Sequence, residues 1–133
     1  MKLKVQQIMD ATLVVSRIIR EDRPLPIRGK YLLARMHAKL LPEFTTIDTQ
    51  RDGLITTYDH HPMTAGPDGV LEESKEFSVP EDKMPEFTAL WKEIADQEVD
   101  IDLTPIPLAA LDLGGESSIE AHELIVLGDL ISE

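Results

Sequence analysis

Asp59, His60, His61 and Asp68 bring two imidazoles and two carboxylates into ten positions of the chain. Imidazole with carboxylate suits zinc, nickel or manganese. Adjacent histidines rarely converge on one ion, however, and Pro62, Gly66, Pro67 and Gly69 beside them are turn residues, so a solvated turn is the expected state of this segment. His122-Glu123 has no second histidine four positions on, which removes a metalloprotease helix and leaves the pair on a helix surface. Ser117 and Ser118 stand beside Glu120, but this is the spacing of a helix capping box rather than of a nucleophile and its base. The chain has no Gly-rich phosphate loop and no cysteine, so thiol nucleophiles, thiolate metal sites and disulfides are absent. No catalytic residue is assigned, no cofactor is implied and no enzyme is expected.

A second group of oxygen-bearing residues runs from Asp48 to Asp59 and resembles the calcium loop of an EF-hand. The resemblance implies side-chain oxygens from Asp48, Gln50 and Asp52, the carbonyl of Leu54, a direct or water-mediated contact from Thr56, and a closing carboxylate from Asp59. Gly53 would make the sharp turn and Ile55 the apolar clamp. Three departures count against it: Gln50 replaces Asp or Asn, Asp59 is shorter than the bidentate Glu, and His60-His61-Pro62 stands where an exit helix should begin. No partner hand is present. The competing reading is that Arg51, Leu54, Ile55 and Tyr58 continue a helix with the aspartates in water, and no metal site is favoured. Asp59-His60-His61 also resembles a phosphoesterase signature, but such enzymes need a larger α/β scaffold and further acidic motifs that this chain lacks.

The elements that must position these residues are bounded by length and composition. A chain of 133 residues with 42% hydrophobic and 29% charged side chains is the size of one domain, 1–133, and can bury roughly two thirds of its unfolded surface. Aromatics are only 5%, so aliphatic side chains carry the core. A net charge of -12 repels phosphate backbones, which disfavours direct nucleic-acid binding and favours basic partners. The acidic side chains crowd the second half, through Asp96, Glu98, Asp100, Asp102, Glu116, Glu120, Glu123, Asp129 and Glu133; a solvated face is the usual explanation and a surface for a basic partner the alternative. Charges interrupt the first 21 residues, leaving no signal-peptide core, and no run reaches the roughly 20 apolar residues of a membrane span. A cytoplasmic location is expected.

Apolar residues three and four apart mark the helices. Val5, Ile8, Met9, Thr12, Val15, Ile18 and Ile19 predict a first helix over 4–21, stopped by Pro24 and Pro26. Ile27, Tyr31, Ala34, Ala38, Leu41, Phe44, Ile47, Leu54 and Tyr58 predict the core face of a second helix to about Tyr58, kinked near Ala38 by Pro42 and weak at Gly53. Together they predict an antiparallel helical hairpin. Residues 60–69 read as turn and 70–79 as a short strand or hairpin arm. Ser78, Pro80, Glu81 and Asp82 read as a helix start, delayed a turn by Pro85, before Phe87, Leu90, Trp91 and Ile94, with Trp91 on the inner face. Val99, Ile101 and Leu103 alternate as a one-faced edge strand ended by Pro105 and Pro107. After a Gly114-Gly115 break, a capping box Ser117–Glu120 opens a last helix with Val126, Leu127, Leu130 and Ile131. The fold class predicted is α+β and mostly helical: a helical hairpin packed with a short β element and two further helices.

This order resembles a family of small proteins of unknown function encoded near the tail genes of tailed bacteriophages. The resemblance rests on Val5, Ile8 and Ala11; on Leu25-Pro26 opening a long helix through Tyr31, Leu32 and Ala34, with Arg51, Leu54 and Tyr58 near its end; on Phe87 and Leu90 before Glu98-Val99-Asp100-Ile101; and on Pro105-Ile106-Pro107-Leu108 and Leu111. Pro42 and Gly53 depart from a smooth helix. The resemblance implies a phage context, with the host cytoplasm and the virion as locations, and transfers no activity. The function expected is a non-enzymatic interaction protein, a minor virion or assembly component, acting through an apolar helix face and an acidic surface on a phage or host protein. The alternatives are an acidic, DNA-mimic-like inhibitor of a host enzyme or defence complex, and a divalent-cation-binding module.

Overall fold

A computed structural model of the chain describes residues 1–74, 76–113 and 116–133. The Gly114-Gly115 break lies outside them. The fold is α+β and mostly helical, with strands only two or three residues long. It divides into two compact units, one of Met1–Thr45 with Asp96–Glu133 and one of Thr46–Ala95.

In the first unit, strand β1 (Lys2–Lys4) leads directly into helix α1 (Val5–Arg20). Gln7 Oε1 accepts the Lys4 N–H at 2.9 Å, occupying a donor that a helix start leaves open. The expected face of α1 is buried at Val5, Ile8, Met9, Thr12, Val15 and Ile18, joined by Ala11 and Val14, whereas Ile19 is exposed. Thr12 can sit in this core because its hydroxyl donates to the Ile8 carbonyl at 2.6 Å. Asp22, at φ 47°, turns the chain, and Leu25 is buried before helix α2 (Ile27–Thr56) begins behind Pro26. α1 and the start of α2 form the antiparallel helical hairpin.

Helix α2 is continuous through Pro42, although that residue cannot donate to the Ala38 carbonyl. Only at Ile47 is its core face the expected one. Leu33, Met36, Leu40 and Ile47 are buried, while Ile27, Tyr31 and Leu41 are exposed. Gly29 sits where a Cβ would come within 2.2 Å of the Ala110 carbonyl oxygen, so only glycine lets α2 lie this close to that segment.

The later residues of this unit pack back on α1 and α2. Strand β4 (Glu98–Asp100) pairs antiparallel with β1, Leu3 opposite Val99, and Ile101 and Leu103 beyond it are buried. Pro107 does not end pairing as expected: β5 (Ile106–Pro107) runs parallel to the last strand, Ile131–Ser132. Two residues in a parallel ladder leave room for a proline whose missing donor is not needed. Helix α4 (Ala121–Leu127) packs on α1, and Leu127 and Leu130 are buried.

The second unit holds the end of α2, a hairpin and helix α3 (Met84–Ala95). The strand expected within 70–79 is confined to β3 (Leu71–Glu73), pairing antiparallel with β2 (Met63–Ala65), which lies in the segment read as turn. Gly69, at φ 79°, closes the connection. Glu81–Lys83 is a 3-10 turn, and regular helix starts at Met84 with Pro85 at its front. Phe87 anchors α3, and the Tyr58 ring meets it edge-on at 6.4 Å.

Candidate interaction surface

Asp48, Gln50, Asp52, Leu54 and Thr56 lie within α2, so the chain does not wrap its oxygens around a point. The Leu54 carbonyl accepts the Thr57 hydroxyl at 2.5 Å, and Thr56 donates to the Gly53 carbonyl at 2.8 Å. Asp59, at φ 46°, leaves the helix in a turn. Asp68 Oδ1 accepts the Val70 N–H at 3.1 Å within the hairpin turn. His61 Nδ1 meets the Glu76 carbonyl at 2.9 Å with its ring 4.3 Å from that of Phe77, while His60 is exposed. Among the described residues no group of three or more His, Asp or Glu is placed to hold a metal ion.

The pair His122-Glu123 is only half on the surface. His122 is exposed against Glu120 Oε2 at 3.2 Å, but Glu123 is fully buried, which corrects the surface reading. Arg23 Nη1 donates to Glu123 Oε1 and to the Ser118 carbonyl at 3.1 Å, and Arg17 Nε lies 3.6 Å from Glu123 Oε2. Glu123 Oε1 also accepts the Glu120 N–H at 3.0 Å, so α4 is capped from Glu123 and not by the expected Ser117–Glu120 box. Ser117 instead accepts the Ile119 N–H at 3.2 Å, and Ser118 donates to the Pro24 carbonyl at 3.0 Å. Burial pushes the Glu123 carboxyl up, but the Arg23 and Glu120 hydrogen bonds and the charges of Arg23 and Arg17 outweigh it and hold it below the usual range. Oε1 takes the hydrogen bonds, while Oε2 accepts none among the described residues and has only the Arg17 charge beside it; the cluster fastens α4 to the end of α1.

Trp91 is half-buried in the second unit rather than central, with the Arg51 guanidinium 5.6 Å above its ring. Phe87, from the same apolar stripe, is buried, whereas Leu90 is exposed.

Five of the nine residues read as the core face of α2 form an exposed apolar feature of the first unit. Ile27, Tyr31, Ala34, Ala38 and Leu41 follow steps of four, three, four and three, and all five are exposed, Ile27 at 87% and Tyr31 at 59%. At 3.6 residues per turn they make one stripe, roughly opposite the buried stripe of Leu33, Met36, Leu40 and Ile47. Arg28 and Arg35 flank it on one side, Lys30 and His37 on the other. The Arg35 guanidinium lies 5.8 Å over the Tyr31 ring, and Lys30 reaches Asp22 at 3.3 Å. Beyond Arg35, a cavity of about 170 Å³ opens between Leu32, Met36, Lys39, Leu103 and Ile106. Lys39 Nζ there donates to the Asp102 carbonyl at 2.7 Å.

Charge is distributed unevenly around this stripe. Positions 28–39 carry four basic residues and no acidic one, and 1–45 holds nine basic against four acidic side chains. Positions 96–133 hold ten acidic side chains and no lysine or arginine. The basic ground around the stripe is hidden in a net charge of -12. The four-three spacing was readable in the sequence; its exposure was not, and nothing there pairs Arg23 with Glu123 a hundred positions away.

No family model, no curated protein and no solved structure matches the chain. No helix among the described residues is long and apolar enough to cross a membrane.

Proposed function

We propose that this chain is a phage-encoded interaction protein that performs no catalysis and serves as a minor virion or assembly-associated component. The observation that carries the reading is the exposed stripe Ile27, Tyr31, Ala34, Ala38 and Leu41, an apolar helix face the fold leaves in water while a second stripe of the same helix fills the core. Contiguous apolar surface of this kind is costly to keep in water and marks contact surfaces. Ala34→Gln with Ala38→Gln blocks close approach of a partner without changing charge or leaving the set of good helix formers. In affinity purification from infected cells, a virion protein recovered with the wild-type chain and lost with this variant supports the reading. Recovery of the same proteins with both sinks it.

The inhibitor reading draws on a different observation, the ten acidic and no basic side chains of 96–133. A partner held there by charge is released as salt rises past the point where the screening length falls to about 3 Å, near 1 M, whereas one held on an apolar stripe is retained. The cation-binding reading draws no support from a segment that is helical through Thr56.

A further inference from the structure

We infer that the α2 stripe is built for one kind of partner, an amphipathic helix of another protein whose apolar seam is flanked by acidic side chains. The inference rests on the interaction reading above and deepens it by naming the partner's chemistry.

Three observations carry it. Steps of four and three average 3.5 residues, the repeat with which a helix meets a second helix along a seam, and Ala34 and Ala38 at its middle let the two backbones approach. The flanking helix positions, where such pairs match their charges, hold Arg28, Arg35, Lys30 and His37 and no carboxylate; the one carboxylate paired there is Asp22, 3.3 Å from Lys30. A second copy offering this same face would set cations against cations, so the stripe is unsuited to pairing with itself. The exposed apolar pair that the acidic segment 96–133 offers instead, Ile125 and Val126 on α4, belongs to a helix of 7 residues. That is about 10 Å at 1.5 Å per residue, against about 21 Å from Ile27 to Leu41. The partner is therefore a longer helix from a different chain. Its carboxylates would meet Arg28 and Arg35 on one side, with the cavity beyond Arg35 open to a side chain on that flank, and Lys30 and His37 on the other.

The test uses the intact protein and two end-capped synthetic helices of about three heptads. Both carry leucine at four-three spacing; one has glutamate and the other lysine at every flanking position. Fluorescence anisotropy near physiological salt should show the glutamate helix binding at least tenfold more tightly than the lysine helix. Ala34→Gln with Ala38→Gln should weaken that binding at least tenfold, and Arg28→Glu with Arg35→Glu should move the preference toward the lysine helix. All these positions are exposed, and unchanged circular dichroism confirms that each variant is folded. Equal or better binding of the lysine helix overturns the inference. So does failure of both helices to bind. If neither binds but the protein dimerises in sedimentation and Ala38→Arg disperses the dimer, the occupant is a second copy and the inference is overturned. Seam-dependent capture from infected cells with no preference for the glutamate helix overturns the charge assignment while leaving the interaction reading intact.

Discussion

Glu123 is the residue on which the end of the chain turns. A buried carboxylate is tolerated only when paired, and breaking such a pair leaves a stranded charge, so Arg23→Ala should cost about 3 to 5 kcal/mol. Arg17, longer in contact and partly exposed, should cost clearly less, and thermal unfolding of the two variants tests the order. Because Glu123 is held below the usual carboxylate range, its contribution is fully present above the unfolded value of about 4.3 and is lost as pH falls through the lower folded value. Acid titration of unfolding should therefore show a steeper loss below about pH 4.3 in the wild-type chain than in Glu123→Gln. A parallel pair of curves would show that the carboxylate is not coupled to folding. Tyr58 is the opposite case. Its hydroxyl is buried with no partner among the described residues, and an unsatisfied group of this kind costs about 1 to 3 kcal/mol. Tyr58→Phe should hold or raise the melting temperature; a fall would reveal a partner for the hydroxyl.

At the scale of elements, α2 has two apolar stripes and one core. Leu40 is fully buried and Leu41 is exposed at 43%, so adjacent leucines should answer the same substitution in opposite ways. Leu40→Asp buries an unpaired charge and should unfold the first unit, while Leu41→Asp should leave circular dichroism and melting nearly unchanged. Equal destabilisation by both would mean that the stripe is packed. Gly29 sets a second constraint, because at 2.2 Å from the Ala110 oxygen even a methyl group forces backbone to move. Gly29→Ala raises helix propensity by about 1 kcal/mol and should nonetheless lower stability. A rise in melting temperature would show that α2 can retreat from the 108–111 segment at no cost.

Across the whole molecule, the charge is divided unevenly. The unit of 46–95 carries eleven acidic against four basic side chains and contains the single tryptophan, Trp91. Tryptophan fluorescence thus reports on that unit alone. Its self-repulsion is screened by salt, so the urea midpoint followed at Trp91 should rise as sodium chloride is increased over a range in which the screening length falls from about 10 to 3 Å. A fall would mean that attractive pairs, including Arg51 over Trp91, dominate there.

Periodicity by itself determined the helices, the hairpin of the first two and the α+β, mostly helical class, because repeats of 3.6 and 2 are local properties of the chain. The single long helix through Pro42 was legible too, as was the burial of α1 from Val5 to Ile18. Which of two stripes on α2 faces the core was not legible. Both recur at helical spacing, and the choice depends on what packs against them, Ala110 against Gly29 and residues such as Leu103 and Ile106 beside Met36. The same holds for Glu123. Its sequence neighbours suggest a surface, and only tertiary structure brings Arg17 and Arg23 from the other end of the chain to neutralise it, because a buried charge is decided by its partners in space.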